Sequence, residues 1–303
     1  MDMGLVSYAS RASRCSFRGG GHVSGDLTSR INACYQEALL DDATVEVLLS
    51  LIRSACARVS GKSARGADRS GQWVEISSLK GRVRAVEIKR LPAQSVRAVG
   101  AEMRRLVSER GLPVRISDGG LDVGIHALGA SKGRAALAFA EVLNMSPSAL
   151  VRIGDQAAEG GNDVTLVVGP RGFNVGCRPA LDPTVQRTRA TGARGTASIL
   201  RGLRPSQELA VATDYDGTLT SREGDGHLDS EACRELVRHL NGGTRVAIIT
   251  GRGPVVLERV VPALRAGGLR PSACSNLTFA LLNGSAFVSP LDDLTNECAA
   301  REV

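Results

Sequence analysis

The spacing of hydrophobic positions changes along the chain and predicts two differently built units. Between residues 28 and 126, apolar residues recur first at helical and then at alternating spacing. This pattern predicts a helical region, two strands, a helix and two more strands, the order of a small α+β unit. The predicted helices cover Thr28 to Val59 and Gln94 to Arg110, and the predicted strands are Trp73 to Ser77, Arg82 to Lys89, Val114 to Ser117 and Leu121 to His126.

Beyond residue 126, short and almost wholly apolar runs alternate with helical patterns. Strands that are buried on both faces have this composition, so the pattern predicts a doubly wound parallel sheet. The predicted strands are Leu150 to Ile153, Thr165 to Val168, Leu209 to Thr213, Arg245 to Thr250 and Leu277 to Leu282, and the predicted helices are Gly133 to Met145, Ser230 to Asn241 and Pro254 to Ala266. The predicted fold class is α/β, with a Rossmann-like core and a smaller α+β domain.

Three segments follow from these patterns. Residues 1–27 are rich in Gly, Ser and Arg and predict a mobile tail. Residues 28–126 form the predicted smaller domain, and residues 127–303 form the predicted core.

Composition narrows the classes of partner. The net charge of +7 suits anionic substrates or a nucleic acid, but three Tyr, five Phe and one Trp offer little surface for base stacking and argue against nucleic acid. No apolar run is long enough to span a membrane. Seven scattered cysteines without a CxxC pair predict a reduced, cytoplasmic setting.

Two carboxylates follow a predicted buried strand. Asp214 and Asp216 are two residues apart, so in extended chain their side chains point the same way, and Gly217 lets the backbone turn behind them. An open α/β sheet places its ligands at the carboxyl ends of its strands. The pair is therefore a candidate site for one hard cation.

The segment Ala212 to Thr220 resembles the DxDGT signature of haloacid dehalogenase phosphatases. In that family the first aspartate attacks phosphorus and becomes an aspartyl phosphate. The second protonates the leaving oxygen and then activates water. The resemblance implies these roles for Asp214 and Asp216.

Two further segments resemble the second and third motifs of the family, and another resembles one of its turns. Thr250-Gly251-Arg252 ends a predicted strand and resembles the motif that holds the transferring phosphoryl group. Lys132 begins a predicted helix and resembles the lysine that neutralises charge beside the nucleophile. Asn283-Gly284 resembles a turn of members with a large cap, although Leu282 replaces its acidic residue, and Asn283 is counted among the candidate substrate ligands.

The fourth motif supplies the rest of the metal site. Ile153 to Asp163 resembles the segment whose acidic pair completes magnesium coordination, which implies Asp155 and Asp163 as ligands of Mg²⁺ with Asp214 and Asp216. The spacing is longer than in the common version of this motif. Whether Asp163 or Asn162 contacts the metal stays open.

Each motif alone also has a plain structural explanation, as a surface turn, a solvated lysine or a helix cap. Their joint occurrence at strand ends and a helix start favours one site for metal-assisted phosphoryl transfer. We therefore predict a phosphatase. His22, His126, His227 and His239 lack a spacing suited to zinc and are assigned to surface or packing.

The motifs occur in an unusual order. The family runs from nucleophile to threonine, cap, lysine and metal acid, whereas here the lysine and metal-acid motifs (127–205) precede the nucleophile and threonine motifs (206–303). A circular permutation joined near residues 204–208 explains the order, and so does a fusion of two partial units. One copy of each motif favours permutation. The sequence also allows a dimer in which two chains exchange halves and complete each other's sites.

The smaller domain resembles the C2 cap of sugar-phosphate phosphatases. This resemblance implies a small phosphorylated substrate, a sugar or sugar acid, read by cap residues. Candidates for that contact are Lys80, Arg82, Arg84, Lys89 and Arg90, although a solvated strand edge explains them equally well. The alternatives are a phosphosugar mutase of the same fold and a non-catalytic binding module.

Overall fold

The computed structural model describes residues 27–34, 39–60, 73–79, 82–118, 122–220, 226–290 and 298–302. The predicted tail lies outside the described residues apart from Leu27, and so does Leu121, the first residue of a predicted strand. Among the described residues, no helix combines the length and the apolar character that crossing a membrane requires.

The described chain contains seven α-helices, one 3₁₀ helix and twelve strands. The helices are α1 (Leu27–Cys34), α2 (Asp42–Ser60), α3 (Ala93–Glu109), α4 (Lys132–Val142), α5 (Gly192–Gly202), α6 (Ser230–Asn241) and α7 (Val255–Ala266), and the 3₁₀ helix is Pro271–Asn276. The strands are β1 (Trp73–Leu79), β2 (Arg82–Lys89), β3 (Val114–Ser117), β4 (Val123–Ala127), β5 (Val151–Gly154), β6 (Gly172–Asn174), β7 (Gln186–Arg187), β8 (Ala210–Thr213), β9 (Arg245–Ile249), β10 (Leu277–Leu281), β11 (Ala286–Val288) and β12 (Cys298–Glu302).

The larger sheet has seven strands in the order β11-β10-β9-β8-β5-β6-β7. All neighbours in it are parallel except β10 and β11. Successive residues of β9 serve opposite faces: Val246 and Ile248 pack with residues of α5, α6 and α7, while Ala247 and Ile249 pack with residues of α1 and α4. Helices thus cover both faces, and the predicted doubly wound α/β class is confirmed.

The smaller sheet is antiparallel, with the order β12-β1-β2-β4-β3. One face is apolar and packs on α2 and α3 through residues such as Ile76, Val86 and Ile125. The other face carries alternate polar residues. Along one cross-strand row these are Glu75, Glu87, Gly124 and Ser117. Because strand side chains alternate with a period of two, this whole row points away from the apolar core.

The sheets depart from the predicted boundaries at both ends of the chain. Helix α1, placed by sequence with residues 28–126, packs against α4, β10 and β11 of the larger sheet. Strand β12, placed with the core, pairs with β1 of the smaller sheet. Each unit therefore takes one element from the other predicted segment.

The predicted strand Thr165 to Val168 is wrong. Asp163 accepts backbone hydrogen bonds from Leu166 at 2.9 Å and from Val167 at 3.1 Å, which closes a tight turn. Leu166 and Val167 are nevertheless buried, so the apolar run reflects burial and not extended structure. Helix α5 and the short strands β6, β7, β11 and β12 were not predicted.

Candidate active site

Three neighbouring strands of the larger sheet end at one place. Asp155 follows β5, Asp214 follows β8 and Thr250 follows β9, and these strands are parallel neighbours in the order β9-β8-β5. The carboxyl ends of parallel strands lie at the same edge, so the three side chains start close together. The backbone N–H of Asp214 donates to the Ile153 carbonyl at 2.9 Å and ties two of these ends to each other.

Lys132 joins two buried carboxylates at this edge. Its Nζ lies 2.5 Å from Oδ1 of Asp214 and 2.7 Å from Oδ1 of Asp163. It is the first residue of α4, whose N-cap Ser131 accepts a hydrogen bond from the Arg134 backbone N–H. The helix start thus fixes where the ammonium group enters the site.

Burial shifts the pKa values of this cluster. Burial raises the pKa of the Asp214 carboxyl well above its usual range, the charge on Asp163 adds to the shift, Lys132 opposes it and Asp155 adds further. Burial by itself lowers the pKa of Lys132, but Asp163 and Asp214 outweigh it, so that pKa is raised and the ammonium stays charged. The cluster holds more negative than positive charge.

A divalent cation fits the cluster. Asp155, Asp163 and Asp214 each offer a carboxylate oxygen, and these oxygens lie within 4.8 Å of one another. Three carboxylates face one ammonium group, and an all-oxygen donor set is the one that Mg²⁺ prefers. Gly217 leaves the space open, because a Cβ atom there would lie 2.6 Å from Oδ2 of Asp155. Bound cation would also favour the ionised form of Asp214.

The long spacing of the fourth motif is accommodated by a loop that returns to its start. Asp163 Oδ2 accepts hydrogen bonds from the backbone N–H groups of Asp155 at 3.0 Å and Gln156 at 2.9 Å. Its other oxygen contacts Lys132. Of the two candidates at this position, Asp163 is the one whose carboxylate enters the cluster, whereas Asn162 lines the cleft nearby.

Asp216 lines the cleft outside the group of three carboxylates. Its carboxylate pairs with Arg252, whose Nε lies 2.9 Å from both oxygens and whose Nη2 lies 2.7 Å from Oδ1. The Arg252 guanidinium also sits 5.7 Å from the centre of the Tyr215 ring. The structure therefore brings the carboxylates of Asp155, Asp163 and Asp214 together, and the carboxylate of Asp216 contacts an arginine.

Thr250, Gly251 and Asn283 meet where β9 and β10 end. Thr250 is fully buried, and its hydroxyl accepts a hydrogen bond from the Arg252 N–H at 3.1 Å. The Asn283 N–H donates to the Thr250 carbonyl at 2.8 Å. The Asn283 side chain forms a 2.7 Å hydrogen bond with His126 Nε2. Gly251 and Asn283 line the cleft, whereas Thr250 is fully buried.

A cleft of about 1050 Å³ lies between the two sheets. Asp155, Asp214 and Asp216 line it from the larger sheet. Opposite them, the polar face of the smaller sheet contributes Glu75, Ser77, Glu87, Lys89, Ser117 and Asp122. The reactive residues thus open onto a chamber with a hydrophilic wall.

Of the five cap cations singled out by sequence, Lys89 reaches this cleft. It does so within ion pairs, 2.9 Å from Glu87 and 3.3 Å from Asp122. Arg84 is fully buried and donates to the Ser285 carbonyl of the larger unit, and Arg82 and Arg90 are exposed. Lys80 lies outside the described residues.

The sequence patterns did not lead us to predict the hydrophilic wall of the cleft or the contact between His126 and Asn283. The alternation of polar residues in β1 and β2 signals that Glu75, Ser77, Glu87 and Lys89 share one face. His126 is buried and contacts Asn283, which is 157 positions away in sequence, so no local signal identifies the pair.

No family model matches the chain. It is 33% identical over 66 residues to a phosphoglycolate phosphatase from Methanoculleus marisnigri, a match covering 22% of this chain and 26% of the relative. The chain thus matches about a quarter of that protein's length. This similarity is to a phosphatase.

Two solved structures of a Plasmodium falciparum IMP-nucleotidase share a more distant likeness. The IMP-bound mutant is 14% identical with a TM-score of 0.30, and the match covers 43% of this chain and 33% of that one. The form truncated at its N-terminus is 15% identical with a TM-score of 0.29, covering 50% and 38%. Both matches extend over half of this chain or less.

Proposed function

We propose that this protein is a Mg²⁺-dependent phosphomonoester hydrolase of the haloacid dehalogenase type that works through an aspartyl phosphate on Asp214. One observation carries the proposal. A buried lysine contacts Asp214 and Asp163, and Asp155 offers a third carboxylate within 4.8 Å, at the carboxyl ends of parallel strands. The phosphatase similarity over 66 residues supports the same class.

In the first half of the proposed reaction, a carboxylate oxygen of Asp214 attacks phosphorus. The bond between phosphorus and the leaving oxygen breaks, and the electron pair stays on that oxygen. Asp216, which first takes up a proton from solvent, gives that proton to the leaving oxygen. The Asp216 side chain is 42% exposed and lies at the cleft, so it can exchange its contact with Arg252 for one with the leaving group.

In the second half, water attacks the phosphorus of the aspartyl phosphate. Asp216, now ionised, takes the proton from that water and acts as a general base. The bond from phosphorus to Asp214 breaks and inorganic phosphate leaves. Asp214 is thereby restored as a carboxylate.

Charge neutralisation makes attack by one anion on another feasible. Lys132 stays charged beside Asp214, and Arg252 offers a second cation from the cleft wall. Asp155, Asp163 and Asp214 would hold Mg²⁺, which supplies Lewis-acid stabilisation of charge on the phosphoryl oxygens when bound. Thr250 keeps the Arg252 backbone in place through its hydroxyl.

We further propose a small phosphorylated polyhydroxy compound as substrate and a circular permutation as the origin of the motif order. The cleft volume of about 1050 Å³ and its hydrophilic wall suit such a compound. Phosphoglycolate, named by the relative, is a second candidate. Assembly of all four motif segments within one chain supports permutation over a fusion of two partial units.

The test is phosphate release from a panel of sugar phosphates, phosphoglycolate and IMP, with and without Mg²⁺. Wild-type protein is compared with Asp214→Asn and with a control, Asp229→Asn, which changes the N-cap of α6 to another good N-cap residue. The proposal expects release that needs Mg²⁺, survives in the control and vanishes in Asp214→Asn. Release that Asp214→Asn retains would refute it.

A further inference from the structure

The wall of the cleft that faces the reactive residues is acidic. Glu75, Glu87 and Asp122 line it, and Lys89 is the cation among them. Lys89 is already engaged by Glu87 and Asp122. The cleft's arginines, Arg178 and Arg252, come from loops of the larger sheet. Three carboxylates against one ammonium leave this wall negative.

The arrangement of these acids costs stability. Glu75 and Glu87 are directly opposite each other on β1 and β2, and like charges in that position are destabilising. Burial raises the pKa of Glu87 despite the opposing charge of Lys89, and Glu75 and Asp122 raise it further. Among the described residues, Glu75 accepts a hydrogen bond from Ser77 and has no ion pair. A cation from outside the chain would relieve this repulsion.

Orphaned acceptors along the same cleft point independently to a ligand that donates hydrogen bonds. Asn283 is 7% exposed, and its Oδ1 has no hydrogen-bond partner among the described residues. The same holds for Oε1 of Gln156 and Oδ1 of Asn162. All three residues line the cleft. Buried acceptors are costly when unpaired, so a bound molecule with several donors suits this chamber.

We propose that the cleft recognises a leaving group that carries an ammonium group beside hydroxyls, as in an amino-sugar phosphate or an aminoalkyl phosphate. The phosphoryl group lies at Asp214, and the ammonium faces Glu75, Glu87 and Asp122. A leaving group with a carboxylate meets the same wall and is repelled. The inference rests on the proposed function and narrows its substrate from sugars and sugar acids to amino compounds.

The test separates binding from turnover. Binding of ethanolamine phosphate, 2-hydroxyethyl phosphate and phosphoglycolate to Asp214→Asn protein is measured by calorimetry in MgCl₂. These ligands are similar in length and differ in a positive, neutral or negative end group. Glucosamine 6-phosphate and glucose 6-phosphate form a second pair. The amino ligand of each set is expected to bind at least about tenfold more tightly, the size of one charge-assisted hydrogen bond.

Variants identify the wall. In the Asp214→Asn background, Glu75→Gln and Glu87→Gln should each reduce the preference for the amino ligand by about tenfold and leave binding of the hydroxyl ligand nearly unchanged. Glu46→Gln, exposed on α2, is the matched control and should keep the preference.

The outcomes distinguish this inference from the proposed function. The ammonium site is overturned if the amino and hydroxyl ligands bind with equal affinity. It is also overturned if phosphoglycolate binds more tightly, or if the folded protein binds none of the ligands. If wild type nevertheless releases phosphate, the proposed phosphatase function is retained. A preference for the amino ligands that Glu75→Gln and Glu87→Gln abolish would confirm the ammonium site. If wild type then released no phosphate from any substrate, the phosphatase proposal would be overturned.

Discussion

Lys132 is 2% exposed and holds two carboxylates that are equally removed from water. A surface ion pair contributes little to stability, because solvent screens it and both side chains lose freedom. In the interior each charge depends on its partner, since an unpaired buried charge costs several kcal/mol. The lysine therefore matters both to folding and to charge in the site.

Lys132→Met removes the ammonium and leaves Asp163 and Asp214 without their common partner. The free energy of unfolding should fall by about 3 to 5 kcal/mol, as when one member of a buried pair is removed. Phosphate release should fall at least about a hundredfold, because charge stabilisation in the transition state is lost. Urea denaturation and a phosphate assay measure the two effects.

A double variant separates the pair from general damage. Lys132→Met with Asp163→Asn removes one charge of each sign, so the stability loss should be clearly smaller than the sum of the two single losses. If the loss in the free energy of unfolding of the double variant equalled the sum of the two single losses, the two side chains would not depend on each other.

His126 makes stability depend on pH. Burial, together with the charges of Arg115, Lys132 and Lys89, lowers its pKa from 6.5 to about 4. Above pH 6.5 the imidazole is neutral in the folded and unfolded chain. Below pH 6.5, the imidazole is protonated in the unfolded chain but stays neutral in the folded chain until the pH approaches 4. Unfolding should become easier by up to about 3 kcal/mol as the pH falls through this window.

The measurement is the free energy of unfolding between pH 7 and pH 4, about the span of this titration. His126→Gln should flatten the acid side of the profile, and His227→Gln, at an exposed position, should leave it steep. Equal slopes in wild type and His126→Gln would contradict the assignment.

At the scale of elements, the turn after β8 positions the residues of the candidate active site. Gly217 has a φ of +73°, and a Cβ atom there would lie 2.6 Å from Oδ2 of Asp155. Positive φ favours glycine, and the close approach excludes a side chain. The turn thus needs glycine for two separate reasons.

Gly217→Ala should lower both the free energy of unfolding, by about 1 to 2 kcal/mol, and the affinity for Mg²⁺, because the new methyl group displaces Asp155. Gly111→Ala is the matched control, since Gly111 has a φ of +62° and nothing within 4 Å of the added Cβ. The control should show the loss in stability alone. Equal Mg²⁺ affinity in Gly217→Ala and wild type would refute the steric argument.

The sequence predicted the central elements well, because their hydrophobic patterns are strong. Strands β5, β8 and β9 differ from their predicted bounds by at most one residue at each end. The run at residues 165–168 failed because burial and strand formation produce the same apolar pattern. Helix α5 has Ala193, Ala197 and Leu200 at helical spacing, a signal that its glycines obscured.

The part of the site that the sequence motifs contain was predictable. Lys132, Asp155, Asp163 and Asp214 meet because each stands at a strand end, a helix start or a loop that returns to one. The pairing of Asp216 with Arg252 was not predictable, since nothing in the sequence says which partner a half-exposed carboxylate chooses. The contact between His126 and Asn283 depends on how the two sheets pack.

At the scale of the whole molecule, two sheets with separate cores enclose the reactive cleft. Polar contacts between them include Arg84 to the Ser285 carbonyl and His126 to Asn283. Helix α1 and strand β12 cross between the units, so each end of the described chain belongs to the unit farther from it in sequence.

Bound Mg²⁺ should stabilise the folded protein, because its ligands come together only on folding. At a concentration about a hundred times the Kd, the gain is about 2.7 kcal/mol, which corresponds to a rise in Tm of several degrees. Calorimetry of the wild type with MgCl₂ and with chelator measures this shift. Asp155→Asn should lose it and Asp229→Asn should keep it. A full shift in Asp155→Asn would remove that residue from the metal site.

The most direct test of the account is to trap the aspartyl phosphate. Protein mixed with p-nitrophenyl phosphate and Mg²⁺ is quenched in acid, and its peptides are examined by mass spectrometry. We expect one phosphoryl group on the peptide that contains Asp214, more of it in Asp216→Asn, where the general base is lost, and none in Asp214→Asn. Phosphate release without a phosphoryl group on that peptide, or with one elsewhere, would contradict the assignment of Asp214 as the nucleophile.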